Sequence, residues 1–145
     1  MTRINLSIPV NNLTDEHLLA EHREIKRLPS CLQKAILSGS INNIPSKFCL
    51  GKGHVLFFLN KMSFVFNRYK EIHNECLNRH FNVSDYSSNF LNIDVCYNND
   101  YIPNSDDKQL LQQRIIDRVL NGKCNNYHYY GKSITKEQAC SLLFK

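Results

Sequence analysis

One amphipathic stretch, residues 14–38, restricts this chain more than any other feature. Stepping about 100° per residue from His17 places Leu18, Ile25, Leu28, Leu32 and Ile36 in one sector, at about 20–100°. Arg23, Arg27, Ser30 and Lys34 fall on the other side, at about 220–280°. That periodicity predicts a helix, about 38 Å long if it is continuous. Thr14 is placed to cap it, Asp15 and Glu16 suit the positive end of its dipole, and Gly39 is a stop signal. Pro29 interrupts the pattern and predicts a kink or a short break.

The rest of the chain carries two further helical patterns. Residues 61–80 offer Phe64, Phe66, Tyr69, Ile72, Cys76 and Leu77 along one side. Residues 106–120 offer Leu110, Leu111, Ile115, Val119 and Leu120. Residues 40–60, broken by Pro45, Gly51 and Gly53, read as mainly loop with packed pieces. Residues 82–105, rich in Asn, Asp and Ser, read as irregular surface. An aromatic cluster, residues 127–132, precedes a tail with room for a short helix. Strand signals are few, so the expected class is all-α: a compact single domain over 1–145, with three main helices, irregular connections and an unassigned tail at 133–145.

Composition removes several alternatives. At 145 residues with 42% hydrophobic and 21% charged side chains, the chain is globular rather than disordered. The apolar run at residues 55–59 is too short to span a bilayer, and the start lacks the apolar core of a secretory signal. A soluble, cytoplasmic, non-secreted protein with no membrane association is expected. The six cysteines, at 31, 49, 76, 96, 124 and 140, form no C-x-x-C pair, which predicts free thiols and no metal site. The formal charge of +5 is uneven. Residues 1–80 hold eleven Lys and Arg against six acids; residues 108–133 hold five against Asp117 alone, and an acidic connector separates them. Two basic segments suit a polyanion approached from two sides.

Candidate chemistry concentrates on the first helix. Glu24 lands near 340°, at the border of the basic and apolar faces and one turn from Arg27. On spacing alone it is either an i,i+3 ion pair or a shielded carboxylate whose charge is felt strongly. Arg23, Lys26, Arg27 and Lys34 form either a solvated face or a phosphate-binding one. Glu21, near 40°, lies inside the apolar stripe and needs a partner if buried. His54 reads as a packed structural histidine. Gly51-Lys-Gly53 lacks the strand and helix context of a phosphate loop. At the start of the chain, Thr2 is small enough for removal of Met1 to be expected. An exposed α-amine is roughly 14% neutral at pH 7, against about 0.04% for a lysine, which makes it a ready nucleophile.

A more specific pointer is the order of blocks along the chain. Met1-Thr-Arg-Ile-Asn-Leu6 is followed by His17-Leu-x-Ala-Glu21-x-Arg23-Glu24 and by Leu50-Gly-x-Gly-His54-Val-x-Phe-Phe58. Then come Glu75-Cys-Leu77 with Arg79 and Phe81-Asn82, Asp100-Tyr-Ile-Pro103, and Tyr129-Tyr-Gly-Lys132. This series resembles the phage pyrimidine-dimer DNA glycosylases of the endonuclease V type, in order and over nearly the whole chain.

The resemblance implies a domain of three main helices with the N-terminus threaded between them. It implies excision of one base of a cyclobutane pyrimidine dimer from duplex DNA, then strand cleavage at the abasic sugar by β-elimination. The catalytic residues it implies are Thr2, through its α-amine and an imine intermediate, and Glu24. It implies DNA contacts by Arg3, His17, Arg23, Arg27, Lys34, Arg114, Arg118, Lys123, Tyr127 and His128. No metal or cofactor is implied; the partner is UV-damaged double-stranded DNA, and the protein is expected to act as a monomer. The chain departs from the family pattern in places: one extra residue before His17, the helix proline moved from position 26 to Pro29, one extra residue between Lys123 and Tyr127, Asn126 at an aromatic position, and His128 for a lysine.

Overall fold

The computed structural model describes residues 3–145. Thr14 Oγ1 accepts the His17 N–H at 3.2 Å and starts α1 (Asp15–Ile25), with Asp15 and Glu16 in its first turn. Pro29 has no N–H to continue the ladder. The bonds re-set at the junction, with Arg27 N–H on the Glu24 carbonyl at 3.1 Å. Then α2 (Leu28–Ser38) restarts with Pro29 in its first turn and ends at Gly39, φ +82°. The expected long helix is therefore two 11-residue rods.

The loop after α2 leads into α3 (His54–Phe58), and α4 (Met62–Asn78) packs along α1. Residues 79–104 are irregular apart from single 3-10 turns, and Phe90 from this stretch stacks on Phe66 and Tyr69 of α4. Asn104 and Asp107 form a capping box at the start of α5 (Ser105–Asn121). α5 buries the single line Leu111, Ile115 and Val119.

Two expectations need correction. The all-α class becomes mostly helical with a small antiparallel hairpin, β1 (Tyr127–Tyr129) on β2 (Lys132–Ile134). Its two-residue turn places Tyr130 at φ +52° and Gly131 at φ +80°, the paired positive values of a type I′ turn. Six α-helices occur among the described residues, where three main helices were expected. Several candidate core residues are also exposed: Ile36, Leu77, Leu110 and Leu120. Ile36 lies beyond the break, where the helical register of α1 no longer applies. Leu110 and Leu120 flank the buried line of α5.

The unassigned tail folds as α6 (Lys136–Leu142) against α5. Its Lys136 Nζ donates to the carbonyls of Leu120 and Gly122, at 3.3 and 3.0 Å, and so closes the C-terminal end of α5. One cluster of buried apolar side chains runs from Ile4 to Leu143. Among the described residues no helix is long and apolar enough to cross a membrane.

Candidate active site

Residues 3–8 form a thread, open over 3–5 and then turning at Leu6 (φ +39°) with Ile8 N–H on the Asn5 carbonyl at 3.1 Å, held by polar anchors from three helices. From α1, Glu24 Oε2 accepts the Arg3 backbone N–H at 3.1 Å. Glu21, 1% exposed, accepts the Asn5 backbone N–H at 3.2 Å and its side-chain amide at 2.7 Å. From α3, His54 Nε2 accepts the Ile4 N–H at 3.0 Å. From α4, Arg68 grips Glu21 through two nitrogens, at 2.9 and 3.1 Å, and donates to the Ile8 carbonyl at 2.6 Å. Ile4, Leu6 and Ile8 are buried between these anchors. The buried acid in the apolar stripe thus has its partner, and the thread is fixed against α1 at both carboxylates.

Arg3 lies where α1 and α5 approach each other. Burial, then the charge of Arg118, pulls its pKa below the usual guanidinium value, while Glu24 and Glu21 oppose the shift. Arg114 is lowered by burial, then by Arg118 and Arg3. Arg3, Arg114 and Arg118 therefore share one field of positive charge, with the half-buried Glu24 carboxylate beside Arg3. Arg3 Nε is buried with no partner among the described residues. α5 also lines an open groove of about 720 Å³, in which Arg114 and Arg118 stand with Gln113 and Asn121 opposite Leu50.

The remaining candidates divide. Arg23 and Arg27 are exposed, Arg23 on α1 and Arg27 at the α1–α2 junction. Lys34 is exposed farther along, on α2, and Lys123 is exposed after α5. His17 packs its ring on Tyr127, centroids 5.6 Å apart. Burial, with Arg3 adding to it, pushes His17 down to about 4, so it is neutral at pH 7. Tyr127 is buried in the hairpin. His128 turns back onto α1: its N–H donates to Glu16 Oε2 at 3.0 Å and its Nδ1 lies 2.6 Å from Glu16 Oε1. Thr2 lies outside the described residues. No cluster of three His, Cys, Asp or Glu able to hold a metal occurs among the described residues.

Sequence reasoning missed the residues that position these groups. Asn5 and Arg68 carry no local signal, and Asp15 signals only a helix start, because their partners lie far away along the chain. Asp15 accepts from Arg79 at 2.8 Å and from the Tyr130 and Gly131 backbone N–H groups at 3.1 and 2.9 Å, tying the hairpin to the start of α1. Residues 1–87 match the family model described as pyrimidine dimer DNA glycosylase. The matched stretch carries Thr2, Arg3, His17, Arg23, Glu24, Arg27 and Lys34, and ends before α5 and the hairpin.

Proposed function

Because the chain belongs to the pyrimidine dimer DNA glycosylase family, and so acts in DNA repair by dimer excision, we propose that it combines base release with strand cleavage through an imine on the α-amine of Thr2. The single observation that carries this reading is the hydrogen bond from Arg3 N–H to Glu24 Oε2, 3.1 Å. The carboxylate is thereby bonded to the residue that directly follows the proposed nucleophile in the chain.

The amine, neutral in part at pH 7, attacks C1′ of the damaged nucleotide. The C1′–N bond to the base breaks, and the departing base takes up a proton. Positive charge that develops on the sugar meets the carboxylate of Glu24, fixed by its hydrogen bond to Arg3 N–H. Opening of the sugar ring leaves an imine between the amine and C1′, which acidifies the C2′ proton. Glu24 is the proposed base that removes it. The C3′–O bond then breaks, the 3′ phosphate leaves, and water hydrolyses the imine to return the amine.

Arg3, Arg114 and Arg118 on one side, and Arg23, Arg27 and Lys34 on the other, take the phosphates that flank the lesion. Intact duplex hides C1′, so the DNA must be kinked and a nucleotide displaced. A dimer already weakens stacking, which lowers that cost at damaged sites. The test is borohydride reduction during turnover. A covalent adduct with dimer-containing duplex is expected, at the N-terminal residue by peptide mapping, together with an intact mass that lacks Met1. Strand cleavage with no trapped adduct, or an adduct on a lysine side chain, overturns the reading.

A further inference from the structure

The geometry of the Gly51-Lys-Gly53-His54 turn serves to hold the His54 ring. Gly51 and Gly53 take φ +68° and +93°, which curls the chain so that the Cys49 carbonyl comes back over the His54 ring. A Cβ on Gly53 would stand 3.2 Å from Cys49 Sγ, a tight contact, and both glycines hold a positive φ that strains any other residue. His54 Nδ1 lies 3.0 Å from the Cys49 carbonyl oxygen, and Nε2 lies 3.0 Å from the Ile4 nitrogen. A carbonyl only accepts and a backbone N–H only donates. The ring must therefore be neutral, with its proton on Nδ1 and its lone pair on Nε2. It is 2% exposed and boxed by Phe48 and Phe58, edge-on at 5.5 and 5.3 Å, so it cannot turn aside.

We propose that His54 is a positioning residue for the terminal amine: its neutral Nε2 anchors Ile4, and through Ile4 it holds Arg3 N–H on Glu24. This rests on the amine mechanism given above and adds to it a residue that touches neither substrate nor sugar. Protonation turns the acceptor into a donor facing another donor at 3.0 Å. The thread lets go at Ile4, one residue from the Glu24 contact, and the near-attack geometry is lost. The groups facing the ring are Arg3 from the thread, Glu21 from α1, Arg114 from α5 and the Cys49 carbonyl from its own loop. Burial is the largest influence and keeps the ring neutral; the Cys49 bond opposes it, and Arg114 assists it.

Three measurements test this. In wild-type protein labelled at histidine nitrogen, His54 is expected as the Nδ1–H neutral tautomer throughout the active pH range. Ile4 amide exchange is expected to rise as that ring titrates. An Nε2–H tautomer, or Ile4 exchange indifferent to the titration, overturns the proposal. His54→Leu, with folding checked by melting, is expected to lower single-turnover adduct formation roughly tenfold while lesion binding changes less than about twofold. His54→Gln, whose amide oxygen can accept from Ile4 without titrating, is expected to recover most of that loss and to lack the acid-side fall in adduct formation that titration of His54 is expected to give wild type. Equal rates and equal pH profiles for wild type, Leu and Gln overturn the role of His54 while leaving the imine mechanism standing. Absence of any trapped adduct in wild type instead removes the mechanism on which the role rests.

Discussion

At the scale of single residues, two carboxylates one helical turn apart have been given different work by their surroundings. Glu21 faces inward, is buried and fully engaged by Arg68 and Asn5, so its charge holds the thread. Glu24 faces the border and spends one oxygen on Arg3 N–H, leaving charge available to a sugar. Glu24→Gln keeps the shape and an accepting oxygen but loses the charge. Base release is expected to fall by about 10²–10³-fold or more, with lesion binding nearly unchanged in a shift assay; unimpaired single-turnover base release would remove Glu24 from the chemistry. His17 yields a stability expectation. It titrates at about 4 when folded, against about 6.5 in an unfolded chain. Between those values the unfolded chain binds more protons, so stability falls as the pH drops from about 6.5 to about 4. His22 and His54 are lowered too and act in the same direction. Urea midpoints measured across that window should decline, and His17→Asn should decline less. The need of Glu21 for a partner was readable from its place on the helical wheel. The identity of that partner was not, since Arg68 lies 47 residues away and only the packing of α1 on α4 brings it near.

At the scale of elements, local signals were read well where the physics is local. The Thr14 cap and the Gly39 stop depend on neighbours within four residues. The hairpin was missed because each of its strands has only three residues, too few for an alternation to show, and because Tyr-Gly is a less familiar type I′ pair than Asn-Gly. An isolated hairpin of that size is marginal in water. This one is stabilised from outside, by Asp15 on the Tyr130 and Gly131 amides and by the Tyr130 hydroxyl donating to Glu75 at 2.5 Å. Arg79 binds both of those acids and lies over the Tyr130 ring at 4.4 Å. Asp15→Ala leaves a buried guanidinium with one carboxylate and two amides with none, at a cost of about 3 kcal/mol. The Tyr130 and Gly131 amides should lose their hydrogen-exchange protection while those of α5 keep theirs. Protection unchanged at the turn would mean that Asp15 does not hold the hairpin.

At the scale of the whole molecule, the thread is the meeting point of two basic walls. Arg3 is bonded through its backbone to Glu24 of α1 and shares its field with Arg118 of α5, so residue 3 links the two basic segments, with Arg27 exposed at the end of α1. The charge count had separated these walls in sequence, and the fold brings them together by laying the thread between α1 and α5. If both walls hold one duplex at the same time, each arginine that pairs with a phosphate releases a counterion. Each such contact contributes about 0.9 to the slope of log affinity against log salt concentration. Arg27→Ala and Arg118→Ala are each expected to lower the slope on dimer-containing duplex by about 0.9, and the double variant by about 1.8. Titrations from low to moderate salt, read by fluorescence anisotropy on one duplex, decide the point. A double variant with the same slope as either single one would mean that the two arginines do not contact the same DNA at once, and that the cleft has one working wall.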